Sequence, residues 1–302
     1  MINLLIHLIL LLTLPPLLLG IINKTKALIA GRKGPPVLQL YYDLIKLAQR
    51  EVVISDVTTW VFTAAPVITL VGVLMAALLV PLGSFPAPIT FAGDLILFAY
   101  LLSIGRFFTT MAAMDTGCPL EGMGAAREVT FSCLSEPALF FALLVLAKMS
   151  GTLMLDDLLH APLIVGTSGT AASMVLLAIG LFVLLLAENS RIPVDDPNTH
   201  LELTMIHEVM VLDHSGPLLG IVLYGAAIKL FLFSAILLHI LFPFQTGCAP
   251  LDWALFIVEM LFVAVSVGVV ESIMARLQMQ HVPYLLIAAI LFCSFGFVLL
   301  VR

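Results

Sequence analysis

The sequence predicts an all-α, polytopic membrane protein with about eight transmembrane helices and one amphipathic helix on the cytoplasmic surface. Three observations predict it. Of the 302 residues, 62% are hydrophobic and 11% are charged, and the mean hydropathy is +1.18; a soluble domain carries about 25% charged residues. Eight apolar runs approach the roughly 20 residues a helix needs to cross hydrocarbon. The short alternating segments of a β-barrel are missing from the pattern, so a helical bundle is left to satisfy every backbone group in lipid. A single integral membrane domain over residues 1–302 is expected.

The first run, near 2–22, has no cationic n-region, and its only polar residues before Thr13 are Asn3 and His7. It reads as a spanning helix rather than a cleaved signal. The others fall near 61–82, 91–113, 128–149, 163–187, 217–241, 251–274 and 282–301. Pro81-Leu82-Gly83, Gly216-Pro217 and Phe242-Pro243 punctuate their ends. No internal repeat supports an inverted-repeat transporter. Between the first two runs, Gln39 to Gln49 places Leu40, Leu44, Ile45 and Leu47 on one face, too short and polar to span, as in an interfacial amphipathic helix.

Orientation follows from the cations. Lys24, Lys26, Arg32, Lys33, Lys46 and Arg50 lie between the first and second runs, and Arg127, Arg191 and Arg276 fall on the same side, nine of the thirteen basic residues. That side is assigned to the cytoplasm, in a cell inner membrane. The net charge of −6, with no basic patch, excludes nucleic acid as a partner. Cys118, Cys133, Cys248 and Cys293 form no C-x-x-C, and His207-Glu208 does not extend to H-E-x-x-H, so no metal or cofactor is expected in this chain.

Charge inside the bilayer is expensive and usually functional. Arg106, Glu136, Lys229 and Glu259 all fall within apolar runs, with His239 near the outer end of one. Lys229 and Glu259 could pair across two helices, or serve a proton path. Glu128 and Glu136 lie eight residues apart, two helical turns or about 12 Å, a gap that a water chain could bridge. The block from Ala187 to Glu202 and its continuation to His214 hold Glu188, Asp195, Asp196, Glu202, Glu208 and Asp213. Such a charge run is ordinarily solvated; between spanning helices it is placed to meet protons or a docked partner.

Four blocks then carry a resemblance along nearly the whole chain. They are Arg32-Lys33-Gly34-Pro35-Pro36-Val37-Leu38-Gln39 with Tyr42-Asp43-Leu44-Ile45-Lys46-Leu47; Asp115-Thr116-Gly117-Cys118-Pro119 with Gly124 to Glu128 and Glu136-Pro137; Ala187-Glu188 through Pro193-Val194-Asp195; and Glu271-Ser272-Ile273-Met274-Ala275-Arg276-Leu277. They resemble the membrane subunit of respiratory complex I that contacts the peripheral arm, the H subunit, and more closely its counterpart in group 4 membrane-bound nickel–iron hydrogenases such as formate hydrogenlyase.

The resemblance implies a non-catalytic subunit of an oxidoreductase complex that anchors a soluble arm. Positions matching Glu136, Glu188 and Glu202 would belong to a carboxylate chain linking redox chemistry to proton-pumping subunits, with Glu128 and Asp115 as further matches. Glu208, Lys229 and Glu259 complete the proton-pathway candidates. Arg32, Lys33, Lys46, Arg50, Arg127, Arg191, Asp195 and Arg276 are the candidates for docking the arm. The [NiFe] site and Fe–S clusters would lie in partners: hydrogenase large and small subunits and an Fe–S subunit, with antiporter-like membrane subunits and lipid around the chain. The alternatives are a quinone-site subunit of complex I, a stand-alone cation transporter and a pure structural anchor. The stretch Asp196 to Glu202 lacks the clustered glutamates of the complex I version, which speaks against quinone.

Overall fold

The computed structural model describes residues 2–160, 168–195, 205–242 and 247–301. Ten α-helices occur among them: α1 (Ile2–Ile29), α2 (Gln39–Ala48), α3 (Trp60–Leu79), α4 (Asp94–Asp115), α5 (Pro119–Ser150), α6 (Leu155–His160), α7 (Ser168–Glu188), α8 (Gly216–Leu241), α9 (Ala249–Ile273) and α10 (Val282–Val301). Eight of these are long and apolar enough to cross a membrane; α2 and α6 are not. Two 3₁₀ turns, Glu208–Val211 and Met279–His281, complete the ordered elements.

The apolar runs locate the spans, but the helices outgrow them. α1 continues to Ile29 and carries Lys24 and Lys26 on its last turns. α5 starts at Pro119, nine residues before the apolar run, and ends where Gly151 takes a left-handed conformation at φ 74°. Its 32 residues reach about 48 Å at 1.5 Å per residue, well beyond the roughly 30 Å of hydrocarbon. The first turns of α5 therefore stand clear of the lipid, where a helix needs no apolar residues, and they carry Glu121, Arg127 and Glu128.

α8 is the hub. Its most apolar window is 67% buried, against 22–44% for the other spans. Phe231 and Phe233 on α8 pack into one core with Leu11 of α1, Phe98 of α4, Leu143 of α5, Leu184 of α7 and Phe256 of α9. Around this centre α3 lies along α4, α10 along α5 and α7, and α1 along α9. The α1–α9 approach is close because Gly268 has no side chain: a Cβ there would overlap the Thr25 hydroxyl. Gly268→Val is expected to cost about 1–3 kcal/mol through overpacking, read as a lower unfolding midpoint of the purified protein.

α2 lies against α8 as an amphipathic element, with Leu40, Tyr41, Leu44 and Leu47 half-buried. Ile45, expected on that face, is 58% exposed, and Tyr41 takes its place, donating its hydroxyl to the Thr13 carbonyl. The real pitch of 3.6 residues turns Ile45 a step past the contact stripe.

Candidate functional site

Two cations and two carboxylates meet between α4, α5, α7 and α8. Glu188 is the last residue of α7, and its side chain is 3% exposed. Its Oε1 accepts from Arg106 Nη1 of α4 at 2.7 Å and from Ser135 Oγ of α5 at 2.6 Å. Its Oε2 meets Lys229 Nζ of α8 at 2.8 Å. Arg106 then reaches outward, with Nη2 3.0 Å from Oε1 of Glu136. Ser103 donates to the same Glu136 oxygen at 3.1 Å. The formal charges cancel, which is the condition under which ion pairs survive away from water. Glu136 is the open end of the chain: its side chain is 38% exposed, on the flank of α5.

Lys229 thus binds Glu188 rather than Glu259. α7 and α8 are packed neighbours and deliver both groups to one cavity. Glu259 instead sits half-buried beside the exposed Val258 and Phe262 of α9, with no ion pair among the described residues.

A cavity adjoins the network, lined by Arg106, Glu188 and Lys229 together with Glu128, Asn189 and His207. It offers about 70 Å³ to the centres of water molecules. Each ordered water needs roughly 10–15 Å³ on that measure, so a short water chain fits. A smaller cavity of about 30 Å³ shares Glu128 and Glu188 and continues to Ser135 and Asp195. Glu128 and Glu136 flank the network from the two ends of this polar region. The imidazole of His207 has its pKa pushed below the usual value by burial; Glu128 pulls it up and Lys229 pushes it further down. Neutral His207 is therefore the resident form at neutral pH, able to accept a proton at one nitrogen and give one from the other.

A second network closes the same end of the bundle. Glu271 of α9, fully buried, binds Lys26 of α1 at 2.8 Å and Arg191 at 3.4 Å. Asp195 binds Arg276 at 2.8 Å and accepts from the amides of Ile206 and His207. Arg127 donates to the Met205 carbonyl at 2.8 Å. Gly124 leaves room for Val209, which seats the Glu208–Val211 turn on α5.

The expected docking residues therefore divide. Arg32, Lys33, Lys46 and Arg50 stand exposed at this end of the bundle. Arg191 and Asp195 are 6% and 2% exposed, and with the half-buried Arg276 they spend their charge inside the chain, holding the segment after α7 in place. A buried charge must be paired, and here the partners are internal. Asp115 accepts from the amide and hydroxyl of Thr59, tying the end of α4 to the cap of α3 at a distance from the network. Glu208 opens the 3₁₀ turn, half-buried. Glu202 lies outside the described residues, as do Asp196 and His200.

Sequence reasoning flags Arg106 as an intramembrane charge but does not place it at the centre, nor Ser135 or His207 beside it. The signal was present for Arg106 alone: a guanidinium amid an apolar run demands carboxylates nearby. Among the described residues no group of three His, Cys, Asp or Glu side chains is placed to hold a metal ion.

The likeness to known proteins runs the length of the chain. It is 30% identical over 306 aligned residues to formate hydrogenlyase subunit 4 of Escherichia coli, covering 98% of this chain and 95% of that protein. It is 29% identical over 286 residues to hydrogenase-4 component C of the same organism, covering 92% and 89%. Its fold matches a chain of the membrane-bound sulfane sulfur reductase, an archaeal respiratory membrane complex, with a TM-score of 0.84, 24% identity, and coverage of 98% and 97% of the two chains. The family model described as NADH dehydrogenase matches residues 2–302, and on that match the chain belongs to the NADH dehydrogenase family.

Proposed function

We propose that the chain is the membrane-anchoring and proton-coupling subunit of a group 4 hydrogenase-type, formate hydrogenlyase-like respiratory complex in the inner membrane. The exposed cations Arg32, Lys33, Lys46 and Arg50 face the cytoplasm and dock a soluble arm whose subunits hold the [NiFe] site and the Fe–S clusters. Redox events in that arm move protons through Glu128, His207 and Glu188 to Glu136, which passes them to an antiporter-like membrane partner. The names of the two Escherichia coli relatives support the class of complex.

The observation that carries the reading is the Arg106–Glu136–Glu188–Lys229 network beside a water-sized cavity. Lipid-buried charge is costly, and a purely structural core would be cheaper without it. A proton placed on Glu188 would weaken its hold on Lys229 and Arg106 together. Arg106 then binds Glu136 alone, so the second carboxylate feels the protonation of the first across one shared guanidinium.

Glu136→Gln tests this. Its side chain is partly exposed, so assembly and stability are expected to stay near wild type while proton pumping coupled to hydrogen evolution in sealed vesicles falls to background. Pumping at the wild-type ratio would overturn the relay.

A further inference from the structure

At the opposite end of the bundle two histidines converge on one carbonyl. His160 ends α6 and His239 lies near the end of α8, their rings edge to face with centroids 5.6 Å apart. The Nε2 atoms lie 3.1 Å and 3.0 Å from the carbonyl oxygen of Gly83. The remaining ring nitrogens also face oxygens. His160 Nδ1 is 3.1 Å from the Asp156 carbonyl and 3.4 Å from its carboxylate Oδ1, and His239 Nδ1 is 2.7 Å from the Ala235 carbonyl.

All four ring nitrogens thus meet acceptors. A neutral imidazole has one N–H and one lone pair, so two neutral rings leave two lone pairs aimed at oxygen. One added proton removes one of these mismatches. A second would place two cations side by side in a buried setting. We propose that the His160–His239 pair is a proton-binding site: it takes one proton from water at this end, held on His160 against Asp156, and the imidazolium clamps the Gly83 turn to α6 and α8.

The charges around the pair favour His160 as the holder. Asp156 lies on its own helix and also accepts from the Ala87 amide at 2.8 Å. Asp94 of α4 is engaged by the Leu155 amide, and Asp252 of α9 by the Ser84 hydroxyl. Asp157 of α6 and Lys148 of α5 are exposed. The His160 side chain is 19% exposed, so water reaches it. Burial pulls its pKa down, but the hydrogen bonds and charge of Asp156 and the Gly83 carbonyl outweigh this and hold it above the usual imidazole value. Asp156, pushed up by burial, is brought below its usual value by His160 and the Ala87 amide. The histidine pair binds its proton whether or not the carboxylate network at the other end carries protons.

A raised folded-state pKa gives stabilisation that is complete below the unfolded value, about 6.5, and is lost as pH rises through the folded value. The test is hydrogen–deuterium exchange at the amides of Phe85 and Ala87, in the intact complex in nanodiscs, between about pH 5 and pH 8. Phe85 bonds to Leu82 across the turn and Ala87 bonds to Asp156, so both report the clamp. After correction for intrinsic exchange, protection is expected to fall severalfold as pH rises, and His160→Gln to flatten the profile at the low level. A flat wild-type profile would overturn the proposal, and so would a His160→Gln protein with wild-type pH dependence.

Discussion

Glu188→Leu is expected to destabilise the protein by about 3–5 kcal/mol, the cost of leaving buried charges without their partner. Arg106 and Lys229, whose side chains are 10% and 16% exposed, would both lose their closest anion. The measure is the unfolding midpoint in a denaturing-detergent titration. Stability within about 1 kcal/mol of wild type, the scale of an ordinary surface substitution, would show that the ion pairs do not hold these helices together. A second protein separates stability from coupling. Glu188→Leu combined with Arg106→Met, Lys229→Met and Glu136→Gln removes every charge of the network at once. Apolar replacement of a whole buried ion group is often neutral or stabilising, so stability is expected to return, while the proposed relay predicts no vesicle pumping from this protein.

Glu271→Ala is expected to cost a similar amount, about 3–5 kcal/mol, with a different consequence. Its carboxylate ties Lys26 on α1 and buried Arg191 to α9. Without it Arg191 is stranded, and the segment through Asp195 loses its anchor to the bundle. Limited proteolysis after Arg191 is expected to accelerate. Retained protection of that segment would mean that Asp195 with Arg276 holds it alone. Lys26→Met, removing the more exposed partner, should be mild, because a part-exposed ion pair contributes about 1 kcal/mol or less.

The residues themselves show how much of this was legible. The eight spans were readable because apolar length against bilayer thickness is a local property of the chain. The cluster of cations at one end was readable too: Lys26, Arg127, Arg191 and Arg276 all reach contacts there. The partners were not readable. Lys229 lies 41 residues from Glu188 and 30 from Glu259, and sequence distance favours neither. Arg191 and Asp195 look like surface residues in a polar loop, yet both turn inward, because charges on neighbouring segments satisfy each other there. The histidine pair was invisible as a pair: its shared acceptor is the carbonyl of Gly83, a backbone atom that no residue pattern marks.

By itself, the order of residues determined that this protein dissolves in lipid, how many times it crosses, where its interfacial helix lies, and which family it resembles. These follow from hydrophobicity, helix rise and short motifs, each decided within a few turns of chain. Only the tertiary structure decided which charges neutralise one another, where water fits between them, and which carboxylate is left facing outward. An ion pair in a low-dielectric bundle is set by separations of about 3 Å between groups on different helices, and helix packing around α8, rather than sequence spacing, fixes those separations.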